Sequence, residues 1–423
     1  MAQAKPAVTL RIDGREVLVT SPGKLLLPRV TKLDLVNYYL TVAEGALRGA
    51  GGRPCVLVRY PSGIDGAFFF QKRAPAARPD WLEVAEIHFP SGRTAEEVVP
   101  RHPADLAWMA NLACLELHPH PVRADDLDHP DELRVDLDPV PGVEWPQVVE
   151  VARVVQATLD DLGLVGWPKT SGSRGIHVLV RIQPRWSFDE VRGAALALAR
   201  EVERRSPSIA TSKWWKEERH GVFVDYNQNA KDRTVASAYS VRPKPDARVS
   251  APVTWDELAL CNPADFTVFT MPERFRRIGD PHAQIDAHPQ SLEPLLALAE
   301  AQGQGDAPWP PHYRKGADEP RRAPPSNAAK KAVGKTPGQR VPKKPLIEVA
   351  RAEREADAIG AAEAWKAKHP EAAAHLQPAD VLVDKMRGSS SLWYRVRINL
   401  EHVPEGERPK GETPGRRWSR TPQ

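Results

Sequence analysis

The stretch Leu133-Arg134-Val135-Asp136-Leu137-Asp138-Pro139 constrains this chain more than any other. Leu133, Val135 and Leu137 alternate with Arg134, Asp136 and Asp138, which is the period-two pattern of a half-buried strand. Residues two apart share a face, so both carboxylates point the same way from Cα atoms roughly 6–7 Å apart. Asp is a poor strand former and neighbouring like charges repel, so the pair makes sense if divalent cations neutralise it. Pro139 ends the strand and leaves the pair at its exit. Taken alone, D-x-D also describes a solvated edge strand with two incidental acids, and the segments around it must decide.

Residues 7–20 alternate like a β-hairpin around an Asp13-Gly14 turn. Thr31 and Asp34 form a capping-box pattern that opens a helix through Leu35, Tyr38, Tyr39 and Val42. Lys32 sits in the first turn of that helix, where a cation faces the positive end of the dipole; a bound anion would make the placement favourable. Residues 54–60 read as a strand. Phe68-Phe69-Phe70 follows, and three consecutive aromatics cannot all be buried on one strand face, so at least one faces solvent or a ligand. Core packing at a bend and a base-stacking platform both fit. Residues 103–118 read as a helix or helix-turn ending in Leu115-Glu116-Leu117-His118, and helices are expected at about 145–162 and 188–204.

Lys169-Thr170-Ser171-Gly172-Ser173-Arg174-Gly175-Ile176-His177 is a glycine- and serine-rich turn that runs into an apolar strand. Its glycines let amides approach a phosphate, and its hydroxyls and guanidinium add donors. It lacks the terminal Lys-Ser/Thr of a P-loop. Val222-Phe223-Val224-Asp225-Tyr226-Asn227-Gln228-Asn229 places a third carboxylate, Asp225, at the end of another apolar run.

Together these segments resemble the polymerase domain of bacterial ligase D, in the primase-polymerase superfamily, over roughly residues 7–300. The resemblance implies an α+β primase-polymerase fold, with antiparallel sheets around a catalytic cleft and helices packed outside. It also implies roles. Asp136, Asp138 and Asp225 match the metal-binding triad for two divalent ions, Mn2+ or Mg2+, with His118 near the catalytic centre. Ser171, Arg174, His177 and Arg242 match nucleotide triphosphate contacts, although many members carry lysine in place of Arg174. Phe69 and Phe70 match the platform for the incoming base or template. Lys24 and Lys32 match the pair that binds the 5′-phosphate of a downstream strand, and Arg59 lies in the neighbouring motif. The family favours ribonucleotides and fills short gaps during end joining.

Composition bounds the rest. A chain of 423 residues suggests two or three units, and 41% hydrophobic with 27% charged residues fits a soluble globular protein. Cys55, Cys114 and Cys261 are widely spaced, which excludes a disulfide framework and argues for a reducing compartment. The N-terminus lacks a signal-peptide core, and no apolar run is long enough to span a membrane, so a cytoplasmic, nucleoid-associated protein is expected. The net charge of +4 only hints at a polyanionic partner.

The expected organisation is a polymerase domain over 1–300, a Pro/Ala/Lys-rich linker over 301–345, a small unit of unknown role over 346–408 and a basic disordered tail over 409–423. Residues 346–368 have the composition of a charged helix, and 391–400 alternate as a strand. No K-x-D-G ligase motif or phosphoesterase histidine cluster is found, so a stand-alone polymerase is expected. Its activity would be template-dependent addition of ribo- or deoxynucleotides at gaps or double-strand ends in DNA repair. Ku and a separate DNA ligase are the partners that the resemblance implies. A two-metal phosphodiesterase would use the same carboxylates but needs no triphosphate turn. A non-catalytic DNA-end- or gap-binding module, or a primase, is the alternative.

Overall fold

A computed structural model describes residues 6–89, 92–303, 307–309, 344–387 and 392–409. The linker and tail expected from the sequence lie largely outside the described residues. The chain divides into two compact units, the larger holding Met1–Pro139, Glu144–Ser212 and Gly221–Tyr313.

The larger unit is built on two five-stranded sheets. In one, the strand Glu132–Pro139 lies at the centre, antiparallel to Ile176–Arg181 on one side and to Val222–Asp225 on the other. Trp167–Thr170 forms one edge, and Ala210–Thr211 the other through a parallel pair, so the sheet is antiparallel apart from that edge. The alternation of the central strand works as expected: Leu133, Val135 and Leu137 are buried in the core. Two helices, Trp145–Asp161 and Phe188–Arg205, pack on this sheet and bury the apolar stripes Val148/Val151/Val155/Leu159 and Val191/Ala195/Leu198/Val202. Burial of each such large aliphatic side chain is worth roughly 1.5–3 kcal/mol, which pins the register of the central strand.

The second sheet has Cys55–Arg59 in its middle, paired with Phe69–Gln71 and with Cys114–Pro119. Here the structure corrects the sequence reading. The helix stops at Asn111, and Leu115-Glu116-Leu117-His118 is a strand. Ala113 adopts φ +59° at the junction, a left-handed residue that breaks the helix before the apolar run can extend it. The capping box is as read: Thr31 Oγ1 accepts from the Asp34 amide, and the Asp34 carboxylate accepts from the Thr31 amide.

The opposite face of the central strand is charged along its whole length, starting at a buried ion network. Arg134 Nε donates to Glu132 Oε1 at 2.8 Å, and Arg181 Nη1 to Glu132 Oε2 at 3.0 Å. Arg53 Nη2 donates to Asp131 Oδ2 at 2.8 Å. Burial would raise the Glu132 carboxyl, but the guanidiniums of Arg53, Arg134 and Arg181 hold it far below the usual range. A cavity of about 400 Å³ adjoins this network, and its Arg123, Arg181, Asp131 and Asp286 side chains already pair with one another.

The smaller unit comprises Val140–Val143, Lys213–His220 and the chain from Arg314 onward. Its three-stranded antiparallel sheet has Leu392–Asn399 between Leu346–Ala352 and Val381–Arg387. The strand at 392–399 matches the alternation read there, whereas 346–368 is no single helix: Leu346–Ala352 is a strand and the helix is Glu355–Lys368. That helix buries Ala358, Ala362 and Trp365 in apolar clusters with Val396 and Ile398.

Glu132→Ala would leave Arg134 and Arg181 buried without their shared carboxylate. A loss of about 3–5 kcal/mol is expected, read as a lower urea unfolding midpoint for the full chain.

Candidate active site

Sheet register brings the three aspartates to one end of the central strand. Asp136 stands opposite Asp225 on one neighbouring strand and opposite His177 on the other. Asp138, two residues on, shares the face of Asp136 and is exposed. Gln228 Nε2 donates to Asp136 Oδ2 at 3.2 Å and to Asp225 Oδ2 at 3.0 Å, so these two carboxylates converge on one point. Among the described residues, no three His, Cys, Asp or Glu side chains form a ready metal cage. The donor set nevertheless suits a hard divalent cation. Mg2+ and similar ions take one or two carboxylates and complete their shell with water and substrate phosphate oxygens.

The turn after Asp225 is made of side-chain amides, each with a task the sequence reading left unassigned. Asp225 Oδ1 accepts from the Asn227 amide at 2.9 Å, which fixes the carboxylate. Asn229 donates from Nδ2 to Arg134 O and accepts at Oδ1 from Arg134 N, both at 2.8 Å. The turn is thereby fastened to the central strand.

His177 Nε2 lies 3.3 Å from Asp136 Oδ1. Its Nδ1 lies 2.8 Å from Nζ of Lys169, which is fully buried. Lys169 also donates to Ala236 O and Ser250 Oγ, so the remaining direction of its amine faces Nδ1. Burial depresses the pKa of Lys169 and of His177, and the lysine depresses the histidine further. The pair therefore keeps one ring nitrogen for Lys169 and leaves the other for Asp136.

In the turn before His177, Ser171 Oγ accepts from the amides of Ser173 at 3.2 Å and Gly175 at 3.1 Å. These two amides are thus engaged within the turn rather than turned to a ligand. The hydroxyl proton of Ser171 and the exposed side chain of Arg174 remain as donors. Gly172, at φ +67°, is required by closeness: a Cβ there would come 2.4 Å from Arg242 Cγ.

Arg242 is held from the second sheet. Its Nη1 lies 2.8 Å from Glu116 Oε2, while Tyr60 OH donates to Glu116 Oε1 at 2.8 Å. His118 Nε2 lies 3.3 Å from Glu116 Oε2. Glu116 is not among the residues that the sequence motifs single out. An acid between Leu115 and Leu117, buried in a strand, is the signal that could have exposed it. Burial alone would raise the Glu116 carboxyl, but Arg242, His118 and Tyr60 together hold it at about 2.

The aromatic run divides as alternation demands. Phe68 stacks on Tyr60 at 5.2 Å between centroids, and Phe70 meets the His118 ring edge-on at 6.5 Å. Phe69 is 43% exposed, with the Arg59 guanidinium 5.3 Å from its ring centre. One of the three does face outward.

Lys24, Lys32 and Arg59 form a separate basic cluster. Lys32 is only 8% exposed, with Nζ 3.4 Å from Thr20 Oγ1 and 3.5 Å from Asn111 Oδ1. Burial lowers its pKa, and Lys24 and Arg59 lower it further. Among the described residues no carboxylate pairs with any of the three. A half-desolvated ammonium beside two other cations is favourable where an anion binds.

The family model of the LigD primase-polymerase domain matches residues 31–282. The multifunctional non-homologous end joining protein LigD of Mycolicibacterium smegmatis is 33% identical over 299 residues, covering 70% of this chain and 39% of the relative. The bifunctional non-homologous end joining protein LigD of Bacillus subtilis is 30% identical over 271 residues, covering 63% of this chain and 43% of its own. The chain thus spans about two-fifths of the length of these relatives. Among solved structures, the polymerase domain of Mycobacterium tuberculosis ligase D in complex with DNA is similar, at a TM-score of 0.60 and 34% identity. That match covers 65% of this chain and 99% of the other.

The depressed Glu116 carboxyl links stability to pH. A folded pKa near 2 against an ordinary 4.5 stabilises the fold above the ordinary value, and the contribution is lost as pH falls through about 2. Urea unfolding of wild type and Glu116→Gln should differ by on the order of 2–3 kcal/mol at pH 7. The difference should shrink steadily below about pH 5.

Proposed function

The chain belongs to the LigD primase-polymerase family, and from that premise we propose that it is a template-dependent polymerase that fills short gaps or break ends during DNA repair. The observation that carries this reading is the convergence of Asp136 and Asp225 on one point, with the Ser171–Gly175 turn leading into the strand on the other side of Asp136. A phosphodiesterase would use the carboxylates but has no need of Arg242 and a triphosphate turn beside them.

Asp136, Asp138 and Asp225 would hold two divalent ions, Mn2+ or Mg2+, whose chemistry when bound is to activate the primer 3′ hydroxyl and neutralise the phosphates. The protein's own residues do the positioning. Glu116 aims Arg242 at the incoming triphosphate, Ser171 and Arg174 present donors along it, and His177 Nε2, which faces Asp136, is the ring nitrogen that a triphosphate beside that carboxylate would meet. Lys169 fixes which nitrogen His177 offers. His118, held between Glu116 and Phe70, lies beside the reacting nucleotide, with Phe69 and Phe70 as stacking surfaces for the incoming base or template. Lys24, Lys32 and Arg59 hold the 5′-phosphate on the far side of the gap. Sugar choice and a preference for Mn2+ come to this reading from the family alone, as do Ku and a separate DNA ligase as partners. No described helix is long and apolar enough to cross a membrane.

Primer extension on a short gap, with and without a downstream 5′-phosphate, tests the reading. Extension should be stimulated by the phosphate and abolished in Asp136→Ala/Asp138→Ala. Lys24→Ala/Lys32→Ala should remove the stimulation, and flatten the salt dependence of gap binding by about one logarithmic unit of slope per lysine. Tight gap binding without extension under any divalent metal would instead favour a non-catalytic end-binding module.

A further inference from the structure

The larger unit continues past its last helix, and residues 307–309 return to the back of the candidate active site. Arg192, on the helix Phe188–Arg205, is 4% exposed and meets them there. Its Nη2 donates to the carbonyls of Ala307 at 2.9 Å and Pro308 at 3.0 Å. The guanidinium carbon lies 3.8 Å from the ring centre of Trp309 and 5.1 Å from that of Tyr226. Its Nε donates to Asn227 Oδ1 at 2.7 Å.

Asn227 is 1% exposed and held at both ends of its side chain, since its Nδ2 donates to Pro308 O at 3.2 Å. Its backbone amide is the donor to Asp225 Oδ1. Oδ1 is thereby committed inward, and Oδ2 is left on the point shared with Asp136. A leucine in place of Arg192 would pack a helix against a turn without placing a charge in the interior, which is costly unless its donors are satisfied. Here the donors are directed at the turn that carries Asp225 and at the chain leaving the unit.

We propose that Arg192 and residues 307–309 form a strap that positions the Asp225 carboxylate. Arg192 is thus a positioning residue, and the segment after the last helix is part of the catalytic machinery rather than the start of an inert tether. The inference rests on the reading of Asp225 as a metal-binding carboxylate. Groups behind a ligand that fix its orientation commonly alter metal affinity or activity by about 10–100-fold when removed.

The test uses the full chain with Arg192→Met, Arg192→Lys, Trp309→Ala and Asp225→Ala. Mn2+ affinity is titrated without nucleotide or DNA, kcat and nucleotide KM are measured on a phosphorylated gap, and thermal midpoints are recorded. Arg192→Met should weaken Mn2+ binding and lower kcat by roughly 10-fold or more, with nucleotide KM little changed. Trp309→Ala, which removes a partly exposed ring, should shift both in the same direction by a smaller factor at an unchanged midpoint, and Arg192→Lys should recover part of the loss. Unchanged Mn2+ affinity and kcat in Arg192→Met would overturn the strap. So would losses that follow only a fallen midpoint while Trp309→Ala behaves as wild type. If instead Asp225→Ala binds Mn2+ and extends primers normally, the underlying reading of Asp225 fails.

Discussion

One face of the strand Glu132–Pro139 carries Glu132, Arg134, Asp136 and Asp138 in alternation, while its other face is buried in the core. Like charges on a strand face repel, and charges taken out of water are costly, so each part of this face needs compensation. At the buried end the guanidiniums of Arg53, Arg134 and Arg181 supply it. At the other end an amide, Gln228, bridges Asp136 and Asp225. Register protects the arrangement: a slip of one residue would carry the aspartates into the core and the leucines into the site.

The remaining groups are tied to that end in two ways. From the first sheet, Lys169 fixes His177, and Asn229 fastens the turn after Asp225 to the central strand. From the second sheet, Glu116 gathers Tyr60, His118 and Arg242. Two buried acids thus do different work. Glu132 neutralises a structural cluster, and Glu116 aims a cation that remains partly exposed. The basic cluster of Lys24, Lys32 and Arg59 stands outside both networks, unpaired with acids among the described residues, as a phosphate site would be.

Much of this was legible in the sequence because it violates ordinary preference. Aspartates in an apolar strand, a lysine in the first turn of a helix and three successive aromatics are each awkward without a ligand. Groups that satisfy one another over long separations left no such mark. Gln228 meets Asp136 across 92 residues, and Asn229 meets Arg134 across 95. Glu116 was hidden because its strand follows directly on a helix, and a short apolar run has no period of its own. Leu346–Ala352 lies in a stretch, 346–368, whose composition is that of a charged helix. It is a strand because its partner Leu392–Asn399 overrides local propensity.

In the proposed reading, Asp136 and Asp225 are drawn together to hold a cation next to a nucleotide. The most direct measurement is a crystal structure of the full chain with Mn2+ and a non-hydrolysable nucleoside triphosphate, recorded at the manganese absorption edge. Anomalous density is expected between the two carboxylates, with the Gln228 amide displaced and the triphosphate alongside Ser171 and Arg242. A fully bound nucleotide with no manganese at these carboxylates, or with manganese only elsewhere, would contradict it.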